Sequence, residues 1–319
     1  MTPSPTASLV LLGRWLRGQG YHFTTVTPAT QGRVNAREGA GAAHGVRDIF
    51  GWSRPFAPGL LPAEVLGWLR EGGLLDERGG RLRSRVRFST LDGQLYAHSA
   101  WPTDEADAIF FGPDTCRFVA AIQAELERQP LAAGARILDV GCGAGPGGIA
   151  AGLTRGGAGC ELLLADINPR ALDFARANAA LAGLGRVRFQ QGDLFEPLEG
   201  QFDLVVANPP YLVDADQRTY RHGGGPLGSS LSLRIVREGL PRLAPGGRLL
   251  LYTGAPIVEG CDPFRDDVAP LLDGQGCAFS YREVDPDVFG EELDRPAYAQ
   301  AERIAAAVLV ARKPASDGP

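Results

Sequence analysis

Short apolar runs alternate with amphipathic stretches between Arg136 and Lys313, and this alternation constrains the fold more than any other feature. Such a pattern is typical of parallel strands joined by crossover helices. It predicts an α/β fold with a doubly wound, seven-stranded, mostly parallel sheet. The last two strands are joined by an acidic connection instead of a long helix, so the final strand is expected to insert antiparallel. Strands are predicted at 136–141, 161–166, 187–191, 202–207, 247–253, 277–284 and 303–312, and helices at 147–155, 169–182, 229–243 and 264–274.

The first hundred residues follow a different pattern. Helical stretches are predicted at 8–19 and 62–73, and two extended runs flank the pair Asp92-Gly93. Because Asp-Gly between alternating runs is a strong hairpin signal, a helix followed by a two-stranded ribbon is expected. This order predicts a smaller, winged-helix-like α+β domain. The predicted domains are 1–100, for substrate recognition, and 101–319, for catalysis, with 101–117 as a linker that also covers the cofactor.

Composition excludes several classes of protein. With 44% hydrophobic and 22% charged residues, the chain lacks the signature of disorder. It has no apolar run of membrane-spanning length and no signal-peptide pattern, so a cytoplasmic protein without a membrane partner is expected. Five scattered cysteines without a C-x-x-C pair, and four histidines, predict neither a disulfide framework nor a metal site. The net charge is −5, but residues 1–100 contain 12 arginines against 7 acidic residues.

A glycine loop follows the first predicted strand of the sheet, in the stretch Ile137–Gly145. Glycines let the backbone turn sharply and approach a ligand closely. Asp166 ends the second strand, where a carboxylate can accept hydrogen bonds from both ribose hydroxyls of an adenosine-like ligand. Asp193 follows the third strand, where an acid can bind an adenine amino group. These strand ends together predict a cofactor crevice.

The loop alone leaves alternatives open. It is also consistent with a packing turn, and Gly143, Gly145 and Gly148 satisfy the spacing of a dinucleotide-binding loop. A methyl-donor cofactor and a nicotinamide cofactor are therefore equally supported at this point. An NAD-dependent oxidoreductase is the alternative of another reaction class, and a non-catalytic adaptor that binds RNA through its first domain is a third hypothesis.

The tetrad Asn208-Pro209-Pro210-Tyr211 directly follows the predicted fourth strand. A planar NH2 group is a poor nucleophile because its lone pair is delocalised, so a site must orient it. The side-chain oxygen of Asn208 and the carbonyl of Pro209 can each accept one of its N–H groups. Two prolines hold these acceptors rigidly, and Tyr211 offers an aromatic face for stacking. An ordinary strand-ending turn is the alternative, but the upstream glycine loop favours methyl transfer to a planar nitrogen.

Residues 136–254 resemble the Rossmann-like core of class I S-adenosylmethionine-dependent methyltransferases. The tetrad is similar to the motif of release-factor glutamine N5-methyltransferases and of adenine- or guanine-directed N-methyltransferases. This resemblance implies S-adenosyl-L-methionine as cofactor and a macromolecular substrate: a protein glutamine, as in a translation factor, or alternatively a base of rRNA, tRNA or DNA. The implied catalytic residues are Asn208, Pro209, Pro210 and Tyr211. The implied cofactor-binding residues are Asp139, Gly141, Cys142, Gly143, Gly145, Asp166, Ile167, Asp193, Leu194 and Asn208.

Two more stretches are similar to the glutamine-methylating branch of that family. Phe111–Thr115 matches a proline-acid-threonine segment, which implies that Phe111 and Thr115 pack over the cofactor. Gly223–Gly228 matches a glycine-rich stretch that follows the tetrad. The chain departs from the branch at Tyr252-Thr253-Gly254, where the branch carries an acid at the end of the fifth strand. Its first hundred residues also do not resemble the helical N-terminal domain of the branch.

Four arginines recur at every second position, at Arg81, Arg83, Arg85 and Arg87. On a single strand their guanidinium groups would all face one side. Such a row predicts a substrate-binding surface that tracks phosphates or acidic protein groups. A solvated hairpin face is an equal alternative. The isolated residues His98 and His222 are interpreted as structural or surface histidines.

Overall fold

The computed structural model describes residues 4–154, 159–196, 198–214, 218 and 220–315. No helix within these ranges has the length and apolar character needed to cross a membrane. The first part of the chain combines short helices with two antiparallel hairpins. Its elements are α1 (Pro5–Gly18), α2 (Pro28–Asn35), α3 (Val46–Phe50), a 3-10 turn (Pro58–Leu60), α4 (Ala63–Glu71), β1 (Leu75–Arg78), β2 (Arg81–Ser84), β3 (Val86–Leu91) and β4 (Gln94–Ser99).

The second part of the chain alternates helices and strands. Its helices are α5 (Pro113–Arg128), α6 (Pro146–Leu153), α7 (Pro169–Leu181), α8 (Ser230–Gly239) and α9 (Pro263–Gly274). Its strands are β5 (Arg136–Val140), β6 (Glu161–Asp166), β7 (Val187–Gln191), β8 (Phe202–Ala207), β9 (Leu243–Val258), β10 (Ala278–Asp285) and β11 (Ala301–Arg312). Short 3-10 turns cover Leu240–Arg242, Gly290–Asp294 and Pro296–Tyr298.

The strands of the second part form one seven-stranded sheet in the order β10-β11-β9-β8-β5-β6-β7. Strands β5 to β9 pair in parallel, while β11 is antiparallel to both β9 and β10. The predicted fold class and the antiparallel insertion of the last strand are therefore confirmed. Strand order reverses between β5 and β8, and ligands of open α/β sheets bind at such a switch point.

Both faces of the sheet are buried, because helices pack on each. Leu204 and Val206 of β8 face the apolar cluster that contains Phe118 and Ile122 of α5. The alternate β8 residues Val205 and Ala207 belong to the opposite cluster, formed with α8 and α9. A central parallel strand of this kind is apolar along its whole length, which explains the continuous run in the sequence.

The sequence predictions for the sheet agree with the structure to within about two residues at most boundaries. Strand β9 is longer than its predicted range, because its second half pairs with β11 as far as Val258. The end of the predicted helix 147–155 lies outside the described residues. Three helices (α2, α3 and α5) and the β1–β2 hairpin were not predicted.

Helices that carry the site begin where capping residues and prolines predict. The side chain of Asn168 accepts a hydrogen bond from the backbone N–H of Arg170, and Pro169 opens α7. Asp262 similarly caps α9 ahead of Pro263. A cap satisfies a backbone donor that the first helical turn leaves unpaired, and proline costs nothing at this position.

The first part of the chain packs closely against α7 of the second part. Leu9, Leu12 and Leu16 of α1 share an apolar cluster with Phe174 and Leu181 of α7. Asn178 of α7 also accepts a hydrogen bond from the backbone N–H of Ala97 at 2.7 Å and donates to its carbonyl at 3.0 Å. The two parts thus share a core, while the boundary at residue 100 stays a prediction.

Candidate active site

A cavity of about 690 Å³ opens at the carboxyl ends of the parallel strands, at the switch point of the sheet. It brings together the glycine loop, the residues after β6 and β7, and the tetrad after β8. The predicted site residues that line it are Thr115, Asp139, Gly141, Cys142, Gly143, Asp166, Ile167, Asp193, Leu194, Asn208, Pro209, Pro210 and Tyr211. Gly145 and Phe111 are not among its lining residues.

The glycines of the loop after β5 divide into two kinds. Gly141 and Gly143 have φ angles of 67° and 53°, and a Cβ on Gly141 would meet nothing within 4 Å. Gly148 is instead packed, since a Cβ there would lie 2.5 Å from Leu164 and 3.0 Å from the Cβ of Asp139. The packing-turn interpretation therefore applies to Gly148, whereas Gly141 and Gly143 keep open space beside the cavity.

Asp139 is the acidic residue of β5, and it holds the start of α6 in place. Its carboxylate accepts a hydrogen bond from the backbone N–H of Gly148 at 2.7 Å. The side chain is buried, and this burial raises the pKa of Asp139 to about 7, with a smaller contribution from the nearby Asp166. Through this hydrogen bond, Asp139 connects β5 to the first turn of α6 beneath the glycine loop.

Asp166 ties the glycine loop to the end of β6. One carboxylate oxygen accepts from the backbone N–H of Gly143 and the other from that of Asn168, both at 2.8 Å. Burial raises the pKa of Asp166. Each oxygen keeps a second lone pair that can accept a hydroxyl. Asp166 can therefore hold the glycine loop and, at the same time, accept hydrogen bonds from a ribose.

Asp193 has a partner that the sequence analysis did not identify. Arg234 of α8 approaches both of its carboxylate oxygens, at 3.0 and 2.9 Å. Asp193 is about 40% exposed, so this pair is screened by solvent. The arginine fixes the carboxylate at the edge of the cavity.

Asn208 lies half-buried at the end of β8, where the tetrad enters the cavity. The Tyr211 ring turns back into the core, with 7% of the residue exposed, and packs edge-on against Phe289 at 6.0 Å between ring centroids. A Cβ on Gly254 of β9 would overlap the Tyr211 ring, so glycine is required there. Tyr211 is still one of the residues that line the cavity.

A buried carboxylate supports the tetrad from α5. The Tyr252 hydroxyl donates to Asp114 at 2.7 Å, and Arg117 donates to the same carboxylate at 3.1 Å. Burial raises the pKa of Asp114, and burial together with this carboxylate raises the pKa of Tyr211. Asp114 thus joins α5 to Tyr252 of β9, a contact that the sequence analysis did not identify.

The glycine-rich segment 223–228 packs directly on the tetrad. The backbone N–H of Gly223 donates to the carbonyl of Leu212 at 2.8 Å. A Cβ on Gly223 would lie 2.7 Å from the carbonyl oxygen of Pro210, and one on Gly228 would overlap the carbonyl of Tyr211. These contacts require bare backbone and fix the path of the chain after Asn208.

Substituting alanine at two glycines of this segment separates the packing effect from backbone strain. Gly224 and Gly228 have φ angles of 75° and 84°, so alanine is similarly strained at both. At Gly224 the nearest atom to a Cβ is 3.6 Å away, whereas at Gly228 it would overlap Tyr211. We expect Gly228→Ala to lower kcat at least tenfold more than Gly224→Ala in a methyl-transfer assay, because it displaces the tetrad. Equal losses in the two variants would contradict this role.

The four arginines do not lie on a single strand, which was the condition for the predicted row. Arg81 and Arg83 lie on β2, Arg87 lies on β3 of a different hairpin, and Arg85 falls in the break between them. Arg85 forms an exposed ion pair with Glu105 at 2.8 Å. The two-residue period persists in the sequence, but the chain changes sheet at Arg85, so the period alone no longer places the four side chains on one face.

Two of these arginines form contacts with other residues within the protein. Arg87 is 5% exposed and stacks over the ring of Phe23 at 5.4 Å, and burial lowers its pKa to about 10. Arg83 donates to the backbone carbonyls of Ser53 at 3.1 Å and Trp101 at 3.0 Å. Substrate binding by these arginines stays a prediction.

Phe111 and His98 are core residues. Phe111 is 2% exposed and stacks on the imidazole of His98 at 5.1 Å. The His98 ring lies 2.8 Å from the Ser89 hydroxyl, and burial lowers its pKa well below the usual value. The structural interpretation of His98 therefore holds, and the neighbouring Phe110 lines the cavity instead of Phe111.

Comparison with known proteins adds sequence relatives to this geometry. Residues 120–255 match the family model "Methyltransferase small domain". The chain is 36% identical over 260 residues to the release factor glutamine methyltransferase of Deinococcus radiodurans, covering 73% of this chain and 87% of that protein. It is 32% identical over 187 residues to the protein of the same name from Xylella fastidiosa strain 9a5c, covering 54% of this chain and 62% of that protein.

Among solved structures, the tRNA m1G37 methyltransferase of M. jannaschii is similar at 16% identity. The TM-score is 0.48, with 72% of this chain and 57% of that chain covered. The family-model match includes both the glycine loop after β5 and the tetrad after β8.

Proposed function

The chain belongs to the release factor glutamine methyltransferase family of class I S-adenosylmethionine-dependent methyltransferases, and from this premise we propose that it methylates the side-chain nitrogen of a protein glutamine. The observation that carries the proposal is the position of Asn208 and Pro209 in one cavity with the glycine loop. The nicotinamide and adaptor hypotheses are set aside, because the family is one of methyltransferases.

The cavity fits an adenosyl ligand. Open space beside Gly141 and Gly143 leaves room for close approach to the backbone, and the Asp166 carboxylate has lone pairs for ribose hydroxyls. Asp193 also lines the cavity, where its carboxylate could accept a hydrogen bond from a base amino group. When bound there, S-adenosylmethionine supplies a methyl group on a positively charged sulfur, which is an electrophilic carbon.

The tetrad prepares the nitrogen for attack. The side-chain oxygen of Asn208 and the carbonyl of Pro209 accept its two N–H groups, which fixes the plane of the amide and raises electron density on nitrogen. With the cofactor bound, the nitrogen would form a bond to the methyl carbon as the carbon–sulfur bond breaks, and the sulfur would leave as the neutral thioether of S-adenosylhomocysteine. The methylated nitrogen would then release one proton along these hydrogen bonds to water. Holding the reactants at near-attack distance lowers the barrier. The nitrogen loses its proton during or after the transfer, so no strong base is needed.

A protein substrate is favoured over a nucleobase for two reasons. The relatives that match most of this chain are named for release factor glutamine methylation. The nucleobase alternative shares the tetrad motif, and its additional argument was a row of four arginines, whose residues are distributed over two hairpins. We therefore propose a translation release factor as the substrate.

The proposal is tested with isotope-labelled S-adenosylmethionine and a bacterial release factor purified from cells that lack their own glutamine methyltransferase. We expect a single methyl group on one glutamine side chain, located by peptide mass spectrometry. Total RNA from the same cells is treated in parallel. Label in RNA, with none in the release factor, would establish the nucleobase alternative and contradict the proposal.

A further inference from the structure

A glutamine acceptor has a carbonyl oxygen as well as an NH2 group. The tetrad offers Asn208 and Pro209 as hydrogen-bond acceptors, which suit the two N–H groups only. A carbonyl oxygen that enters a closed site without a donor loses its hydrogen bond to water, at a cost of roughly 1–3 kcal/mol. A site specific for an amide therefore needs a donor opposite the tetrad.

His222 lies beside the tetrad in the same cavity. It forms a parallel bridge with Leu212, the residue that follows Tyr211. Its backbone N–H donates to the carbonyl of Arg218 at 2.9 Å, and the next residue, Gly223, is held against Leu212 at 2.8 Å. The position of His222 relative to the acceptor nitrogen is thus set by the same backbone contacts that hold the tetrad.

The hydrogen bond at the Nδ1 atom of His222 determines which ring nitrogen carries the proton. The backbone N–H of Asp214 donates to Nδ1 at 3.2 Å. Nδ1 must therefore present a lone pair, and in the neutral ring the proton resides on Nε2. Within the described part of the chain, Nε2 has no hydrogen-bond partner, so its N–H is available to a ligand.

Other long polar side chains at this end of the cavity are held in ion pairs or hydrogen bonds. Arg218 donates to the Asp214 carboxylate at 2.9 and 2.5 Å. Arg221 pairs with Glu292, and its Nε, which makes no hydrogen bond among the described residues, is buried 3.5 Å from an Asp214 oxygen. The Tyr220 hydroxyl donates to the carbonyl of Thr103 at 2.6 Å. Arg295 also pairs with Glu292, at 2.8 Å.

We infer that the Nε2–H of His222 donates to the carbonyl oxygen of the acceptor amide and makes His222 a specificity-determining residue. Three hydrogen bonds, two to the tetrad and one from His222, then fix the plane of the amide. Since the nitrogen lone pair is perpendicular to this plane, fixing the plane also fixes the direction of the lone pair. This inference rests on the proposed function, because it assumes a carboxamide acceptor.

Two substitutions at His222 form a matched pair. Glutamine places its amide nitrogen near the position of Nε2 and retains the donor, whereas asparagine reaches only as far as Nδ1. With the release factor as substrate, we expect H222N to lower kcat/KM about 10- to 100-fold, mainly through KM for the release factor. H222Q should stay within about threefold of the wild type. Both should bind S-adenosylhomocysteine with unchanged Kd in calorimetry.

The outcomes separate this inference from the proposed function. Methylation of the release factor by the wild type, with H222N as active as H222Q, overturns the inference alone. An equal loss in both variants also overturns it, because the retained donor would then have no effect. If the wild type does not methylate the release factor, both the proposed function and the inference fail.

Discussion

Asn208→Ala is expected to lower kcat for methyl transfer by about 10²- to 10³-fold, the size of effect seen when one oriented polar group is removed from an active site. Alanine removes the side-chain oxygen that accepts an N–H of the target nitrogen, and leaves the glycine loop and Asp166 in place. Affinity for S-adenosylhomocysteine should therefore change less than threefold. Steady-state kinetics with the release factor and calorimetry with S-adenosylhomocysteine measure the two quantities separately.

Asn208→Asp provides the matched control. It keeps an oxygen acceptor at the same position but adds a negative charge and removes the side-chain NH2 group, so we expect activity between that of the alanine variant and the wild type. A kcat for Asn208→Ala within threefold of the wild type would show that the tetrad does not orient the nitrogen. The proposed mechanism would then have to be abandoned.

Much of the sheet could be predicted from the sequence because each buried strand has a clear pattern. The carboxyl ends of β5, β6 and β8 carry Gly141, Asp166 and Asn208, and parallel strands bring such ends to one edge. Predicting this part of the site required only the order of elements. The contacts that hold the site depend on distant parts of the chain and were missed.

The meeting of Asp114 with Tyr252 illustrates this limit. These residues lie 138 positions apart, and the contact depends on how α5 packs across β9. Helix α5 itself was not predicted, because its first residues were assigned to the connector 101–117 and the apolar stripe beyond them was not followed. Similarly, the pairing of Arg234 with Asp193 depends on the position of α8.

The arginines of the first part show a second limit of prediction from sequence. A period of two predicts one face only while the chain stays on one strand. The β2 and β3 strands belong to separate hairpins, and the break at Arg85 sends Arg87 into the core. Local periodicity contains no information on such a break. The positions of the arginine side chains therefore depend on tertiary packing.

Asp166→Ala is expected to raise the Kd for S-adenosylhomocysteine by at least 100-fold. The substitution removes the acceptor of the Gly143 and Asn168 backbone N–H groups and the proposed acceptor of the ribose hydroxyls. A hydrogen bond to a charged group contributes about 1.5–3 kcal/mol, so the loss of two or more such bonds exceeds a factor of 100. Isothermal calorimetry of the purified variant measures this change directly.

Two further carboxylates serve as controls for Asp166. Asp193 is about 40% exposed and paired with Arg234, so Asp193→Ala should raise the Kd by less than about tenfold. Asp173 lies on α7 with 44% of its side chain exposed, and Asp173→Ala should leave the Kd unchanged. If all three variants bound S-adenosylhomocysteine equally, Asp166 would contribute no more to cofactor binding than the two control carboxylates. The glycine loop would then hold its shape without this carboxylate, and the cofactor would have to be bound by other residues.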